Sequence, residues 1–262
     1  SDLFKETLPP EKRGQRDQRK RSNLLDSLRR VIQTPYVGAL LALMFFQQII
    51  FYGFEALLAL FNLSRLGLDA AGNAVVFVFV GIILVLVQGK YIGPWSRRYG
   101  ERRLIYAGLG LLALGLTLTA ITPAIPVTWY DPASILKDGA EAAAVPLPAT
   151  DSKGWLGLIW LMVAMIPTSI GGGILTPSIN SLLTKLTPPT QAGSTLGVSA
   201  SLVSLANTIT PLLGGAIFQF LGTTAPFLIG GSLMGVLLIM ALRHLHSSLD
   251  QVSKPQPVAE AA

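Results

Sequence analysis

An all-α, polytopic membrane fold with six transmembrane helices is what this sequence predicts, on three observations. Six apolar runs of about 19 residues or more recur along the 262-residue chain. Hydrophobic residues make up 51% of the composition at a mean hydropathy of +0.55, leaving few positions to clothe a soluble surface. Of the 20 basic residues, 17 fall on one side of those runs. Roughly 20 apolar residues, rising about 1.5 Å each, cross the hydrocarbon layer of a bilayer. A soluble domain of this size breaks its apolar residues into shorter segments with polar faces.

The runs cover residues 35–61, 70–89, 104–123, 154–186, 193–221 and 224–242. Nine basic residues precede the first run. Lys90, Arg97, Arg98, Arg102 and Arg103 follow the second, Lys185 the fourth, and Arg243 and Lys254 the sixth. Only Arg65, Lys137 and Lys153 lie on the other side. The positive-inside rule then puts both termini in the cytoplasm, in a multi-pass protein of the plasma (inner) membrane. Six crossings return the chain to its starting side, so the count and the charges agree.

Four further regions complete the organisation. Residues 1–21 read as a flexible cytoplasmic linker, dense in charge of both signs. In residues 22–34, Leu24, Leu25, Leu28, Val31 and Ile32 recur at helical spacing, which suits either an interfacial amphipathic helix or the first turns of the next span. The bundle itself occupies 35–242, with a long outer loop at 124–153 that has room for a short helix near 132–144. Residues 243–262 form a cytoplasmic tail, disordered after His246.

Several chemistries are excluded. There is no cysteine for disulfides or thiolate chemistry, and the two histidines, His244 and His246, sit together in the tail. No phosphate-binding glycine run, Gly-x-Ser-x-Gly elbow or His-Glu-x-x-His run occurs. The chain is therefore not expected to be an enzyme, to carry a cofactor or metal, or to bind nucleic acid, since its positive charge is distributed as topology requires.

Glu55 is the one ionisable residue well inside an apolar run. A carboxylate in hydrocarbon is costly and should face protein or water. It suits proton binding, contact with a cationic substrate, a structural hydrogen bond, or an interfacial position near the outer end. Gln48, Tyr52 and Glu55 follow at steps of four and three, on one helix face. The fourth run carries Pro167, Gly171, Gly172, Gly173 and Pro177, with Asn180 beyond, and is expected to kink or unwind as a polar-lined hinge. In the fifth, the Asn207 amide needs polar partners, and Pro211 frees a carbonyl one turn earlier. The spacing Gly193, Gly197, Ser201 and the pair Gly231, Gly235 provide small faces for helix packing. Between the second and third runs, the glycines of the basic connection 89–103 (Gly89, Gly93 and Gly100) and Pro94 are expected to give a tight turn between two helices.

Gly93, Arg98, Gly100 and Arg102 match the loop Gly-x-x-x-Asp-Arg-x-Gly-Arg-Arg, with Arg97 where the aspartate would be. With six runs, a basic leading segment and this orientation, the chain resembles the carboxy-terminal half (spans seven to twelve) of a major facilitator superfamily transporter. It is nearest the multidrug and tetracycline-type proton antiporters. That resemblance implies secondary active transport by alternating access, with ion- or proton-coupled export of a small molecule. It also implies an amino-terminal six-helix half as partner, in the same chain or a separate subunit. A second reading from another class is a non-transporting membrane subunit docked onto a larger complex.

Overall fold

The computed structural model of the chain describes residues 35–133, 135, 145–149, 152–188 and 191–252. The expected linker and interfacial helix lie outside the described residues. The elements are α1 (Pro35–Leu66), α2 (Ala70–Leu86), a π-helical turn (Val87–Tyr91), α3 (Ile92–Ala120), α4 (Leu156–Leu186), α5 (Ala192–Leu221) and α6 (Ala225–Val252). Five helical runs among the described residues are long and apolar enough to cross a membrane, and one of these is the 51-residue stretch Ala70–Ala120.

That long stretch does not run straight. Gly100 takes φ +76° and ψ 155°, outside helical space and accessible mainly to glycine. Its two arms return to the same level of α4: Gly173 faces Leu84 and Val87, whereas Gly171 faces Gly108 and Leu112. The chain therefore folds back at Gly100, inside the connection 89–103 where a turn is expected, but Pro94 does not make it. Proline 94 lacks the N–H that would bond to the Lys90 carbonyl. The helix absorbs this by widening into a π turn, where the Ile92 N–H reaches back to the Val87 carbonyl, and then continues.

At the other end, α1 stops as Gly67 turns to φ +64°. Asp69 then caps α2, its carboxylate accepting from the Gly72 N–H at 2.7 Å. Asn62 donates to Asn73 at 2.9 Å and Asn73 to the Leu68 carbonyl at 3.2 Å, tying α1 to α2 across this turn. The long loop between α3 and α4 is anchored here too. The Val127 N–H donates to the Leu66 carbonyl at 2.9 Å, and the buried Tyr130 ring lies directly against Gly67. Burial, and next the Asp131 charge, push the Tyr130 phenol above its ordinary range. Pro132, Ala133 and Ile135 are helical; the rest of the expected 132–144 helix lies outside the described residues, apart from Pro132 to Ala133 and Ile135 themselves.

The core lies between α1, α3, α4 and α6, around Leu40, Phe61, Leu109, Leu112, Leu161, Leu175 and Phe227, all almost completely buried. Small residues set the α3–α4 register. Gly108 meets Leu175, Leu112 meets Gly171, and Gly115 meets Thr168, an antiparallel stack with backbones in near contact. Such close approach is how helices gain packing energy where lipid removes the hydrophobic drive between them.

Two expectations need correction. Of the kink or unwinding expected in α4, unwinding does not occur: it is one continuous helix with Pro167 and Pro177 inside it. Gly171, Gly172 and Gly173 are buried against Gly108 and Leu112, Phe51, and Val87 respectively, so they admit neighbours instead of loosening the backbone. The spacing Gly193, Gly197, Ser201 does not pack on another helix among the described residues either. A Cβ at Gly193 or Gly197 would meet nothing within 4 Å, and the same holds for Gly235, whereas Gly231 is packed on Thr117. The tail, finally, stays helical to Val252.

Candidate functional site

Gly53 of α1 and Gly214 of α5 let these helices approach: a Cβ at Gly53 would lie 3.3 Å from Thr210, and one at Gly214 3.1 Å from Leu57. The Thr210 hydroxyl donates to the Ala206 carbonyl at 2.7 Å and points at the Ile49 carbonyl across the interface, at 3.4 Å. Beside this contact opens a cavity of about 270 Å³, lined by Tyr52, Glu55 and Ala56 of α1 and by Asn207, Thr210 and Pro211 of α5. Glu55 and Asn207 are both exposed on this face.

Three polar residues singled out by sequence, Tyr52, Glu55 and Asn207, thus share one cavity, together with Pro211. Proline 211 sits inside a continuous α5 and has no N–H to give the Asn207 carbonyl. The wall therefore offers a carboxylate, a phenol and an amide against an apolar surround. That is the donor and acceptor set of an orienting small-molecule site.

Gln48 and Asn180 are not part of the lining. Gln48 shares the helix face of Tyr52 but is 4% exposed, and its amide oxygen has no partner among the described residues. Asn180 of α4 meets α5 instead, accepting from the Ser199 hydroxyl at 3.3 Å, while that hydroxyl also approaches the Met44 sulfur of α1 at 3.0 Å. These residues join α1, α4 and α5 towards the basic end of the bundle. Pro167, Gly171, Gly172, Gly173 and Pro177 lie along α4, away from the cavity lining.

Around Gly100 the motif residues separate by environment. Gly100 makes the reversal, and Gly93 sits in the helix before it with open space at its Cβ position. Arg97 and Arg98 are exposed, with the Arg98 guanidinium 5.4 Å from the centre of the Tyr99 ring, and Arg102 is half-buried. Four residues after Arg97 the segment carries one carboxylate. Buried Glu101 accepts from Ser96 at 2.9 Å, from Ser181 at 3.1 Å, and from Lys185, with which it forms an ion pair. Burial alone would raise its pKa. The hydrogen bonds from Lys185, its own backbone, Ser96 and Ser181 outweigh that and hold it down at about 2.

Sequence reasoning gave Glu101 no role of its own. The signal was present: it is the sole acid within the basic segment 90–103, and Lys185 is the sole base between the fourth and fifth runs. Among the described residues, no group of three or more His, Asp or Glu is placed to hold a metal ion.

Comparison with known proteins agrees with this architecture. The Major Facilitator Superfamily profile matches residues 3–150 and 142–261. The class C tetracycline resistance protein of Escherichia coli is 25% identical over 203 residues, covering 77% of this chain and 42% of that protein. The class D tetracycline resistance protein of Salmonella ordonez is 26% identical, covering 76% and 41%. Multidrug resistance protein 2 of Bacillus subtilis (strain 168) is 24% identical over 233 residues, covering 88% and 49%. The chain therefore spans less than half the length of these relatives. No solved structure matches it. With its long apolar helices and a profile match over almost its whole length, this chain is a multi-pass membrane protein and belongs to the major facilitator superfamily of transporters, not to an enzyme family.

Proposed function

We propose that this chain is the carboxy-terminal, six-span half of a proton-coupled exporter that works by alternating access. The observation that carries the proposal is the α1–α5 cavity, where Glu55 meets Tyr52 and Asn207 on an open face of the bundle. A carboxylate at that depth binds a proton or a cation, and exchange of one for the other couples the two fluxes. In this reading the 51-residue stretch counts as two crossings joined at Gly100, both termini face the cytoplasm, and the basic end of the bundle is the inner end. The amino-terminal half covers the face formed by α1 and α5, closing the cavity between the two halves. The relatives support the direction of transport, since three carry resistance in their names.

The test is proteoliposomes holding this chain together with an amino-terminal half. An imposed pH gradient should drive uptake of a fluorescent lipophilic cation, and Glu55→Gln should abolish the coupling while leaving assembly intact. Undiminished pH-driven uptake in that variant sinks the proton role of Glu55.

A further inference from the structure

We propose that the π turn and the helix leading to Gly100 form a binding site for an anionic phospholipid headgroup. The π turn places Lys90 and Tyr91 together on the exposed surface, with the ammonium 5.6 Å from the centre of the Tyr91 ring. Tyr91 in turn stacks on Trp95 at 5.2 Å and 25° between planes. Trp95 is fixed on its other side, because it packs against the small cluster of Val87, Leu104 and Ile174. The platform is therefore rigid, and Lys90, Arg97 and Arg98 surround it, all exposed.

Among the described residues their charge is not neutralised. Within residues 87–103 the only acid is Glu101, which is buried and occupied by Lys185, Ser96 and Ser181. None of Lys90, Arg97 and Arg98 has a carboxylate partner among the described residues. A phosphate diester suits such a cluster, since arginine forks match its oxygens and the stacked rings seat the glycerol edge.

The surface next to the cluster identifies the source of the phosphate. Val78, Ile82, Val85 and Leu86 form an exposed apolar lane along α2, with Val85 72% exposed, and the lane ends at Lys90 and Tyr91. A lipid satisfies both parts at once, acyl chains along the lane and headgroup on the cations. A free phosphate or a phosphorylated peptide would leave the lane unused. Basic clusters at the ends of membrane helices attract anionic lipid in general. The specific claim here is a built clamp at one position of one helix.

The experiment is native mass spectrometry of the full chain in mild detergent, titrated with phosphatidylglycerol or with phosphatidylcholine of the same acyl chains. Phosphatidylglycerol should be retained preferentially, with the preference falling about fivefold for each cation neutralised in Lys90→Gln, Arg97→Gln and Arg98→Gln. The charge-preserving set Lys90→Arg, Arg97→Lys and Arg98→Lys should keep most of it, and Arg65→Gln at the far end should change nothing. Equal retention of the two lipids by the unmodified chain overturns the proposal without recourse to any variant. So does an unchanged preference in the triple glutamine variant, or displacement of the lipid by inorganic phosphate at equal concentration.

Discussion

Glu101 and Lys185 lie 84 residues apart and form an ion pair that ties the Gly100 reversal to the last turn of α4. The pair is asymmetric. Lys185 has a side chain 60% exposed and Glu101 one only 10% exposed, so solvent screens the lysine while the carboxylate depends on protein donors. Lys185→Met should therefore cost little, about 1 kcal/mol or less. Glu101→Ala should cost about 2 kcal/mol, because it also removes the acceptor of the half-buried Ser96 and Ser181 hydroxyls.

The same carboxylate makes stability depend on pH in a stated direction. Its folded pKa, about 2, lies below its ordinary value of 4.5. The unfolded state consequently takes up the proton first on acidification. The contribution is complete above pH 4.5 and declines as pH falls from 4.5 towards 2. Thermal unfolding of the detergent-solubilised protein should lose stability across that window, and Glu101→Gln should flatten the loss. An identical pH profile in the variant would assign the loss to other groups.

Glu55 and Asn207 should behave differently from Glu101, since both are exposed and neither supports the core. Glu55→Gln and Asn207→Ala should leave the melting temperature within the scatter expected of surface changes, about 0.5 kcal/mol. Transport in the assembled protein should fall at least about tenfold for Glu55→Gln, the equivalent of about 1.4 kcal/mol in the coupled step. A large drop in stability for either variant would show that these side chains hold the bundle together.

The helices were legible because hydropathy over 20 residues is a coarse, additive signal that neighbours do not alter. The α1–α5 cavity was legible in part, since a carboxylate and an amide in apolar runs have few tolerable surroundings. Depth was not legible. Gln48 shares the helix face of Glu55, yet the helices close over it one or two turns away. Glycine was ambiguous for a physical reason: lacking Cβ, it both frees the backbone and admits a neighbour. Gly171 to Gly173 do the second, Gly100 the first, and only the partner across the helix decides. Pro94 misled for a related reason, as a π turn can absorb its missing N–H without ending the helix.

The α3–α4 stack provides a direct test of that reading of glycine. A Cβ at Gly115 would lie 2.1 Å from the Thr168 hydroxyl oxygen and 2.7 Å from its backbone nitrogen. The backbone atom cannot rotate away, so the helices must separate. Gly115→Ala should destabilise the bundle by about 1–3 kcal/mol. Gly81 in α2 has nothing within 4 Å of its Cβ position. Gly81→Ala should be neutral or stabilising by up to about 1 kcal/mol through helix propensity. Denaturant or thermal unfolding of the two variants side by side separates packing from flexibility, because a flexibility role predicts stabilisation at both sites.

Gly193, Gly197 and Ser201 recur every four residues on an exposed face of α5, with open space at both glycines. Four-residue spacing of small side chains is what a close helix–helix contact requires, and among the described residues no helix fills it. If the amino-terminal half docks there, Gly197→Leu should leave the isolated chain's helicity and melting temperature unchanged. Co-purification of the two halves should fall steeply, since the added side chain blocks backbone approach over a full turn. Gly81→Leu, on an apolar helix already exposed on one side, serves as the control for added bulk. Full co-purification of the Gly197→Leu chain would place the partner on another face, and the closure of the Glu55 cavity would then have to come from elsewhere.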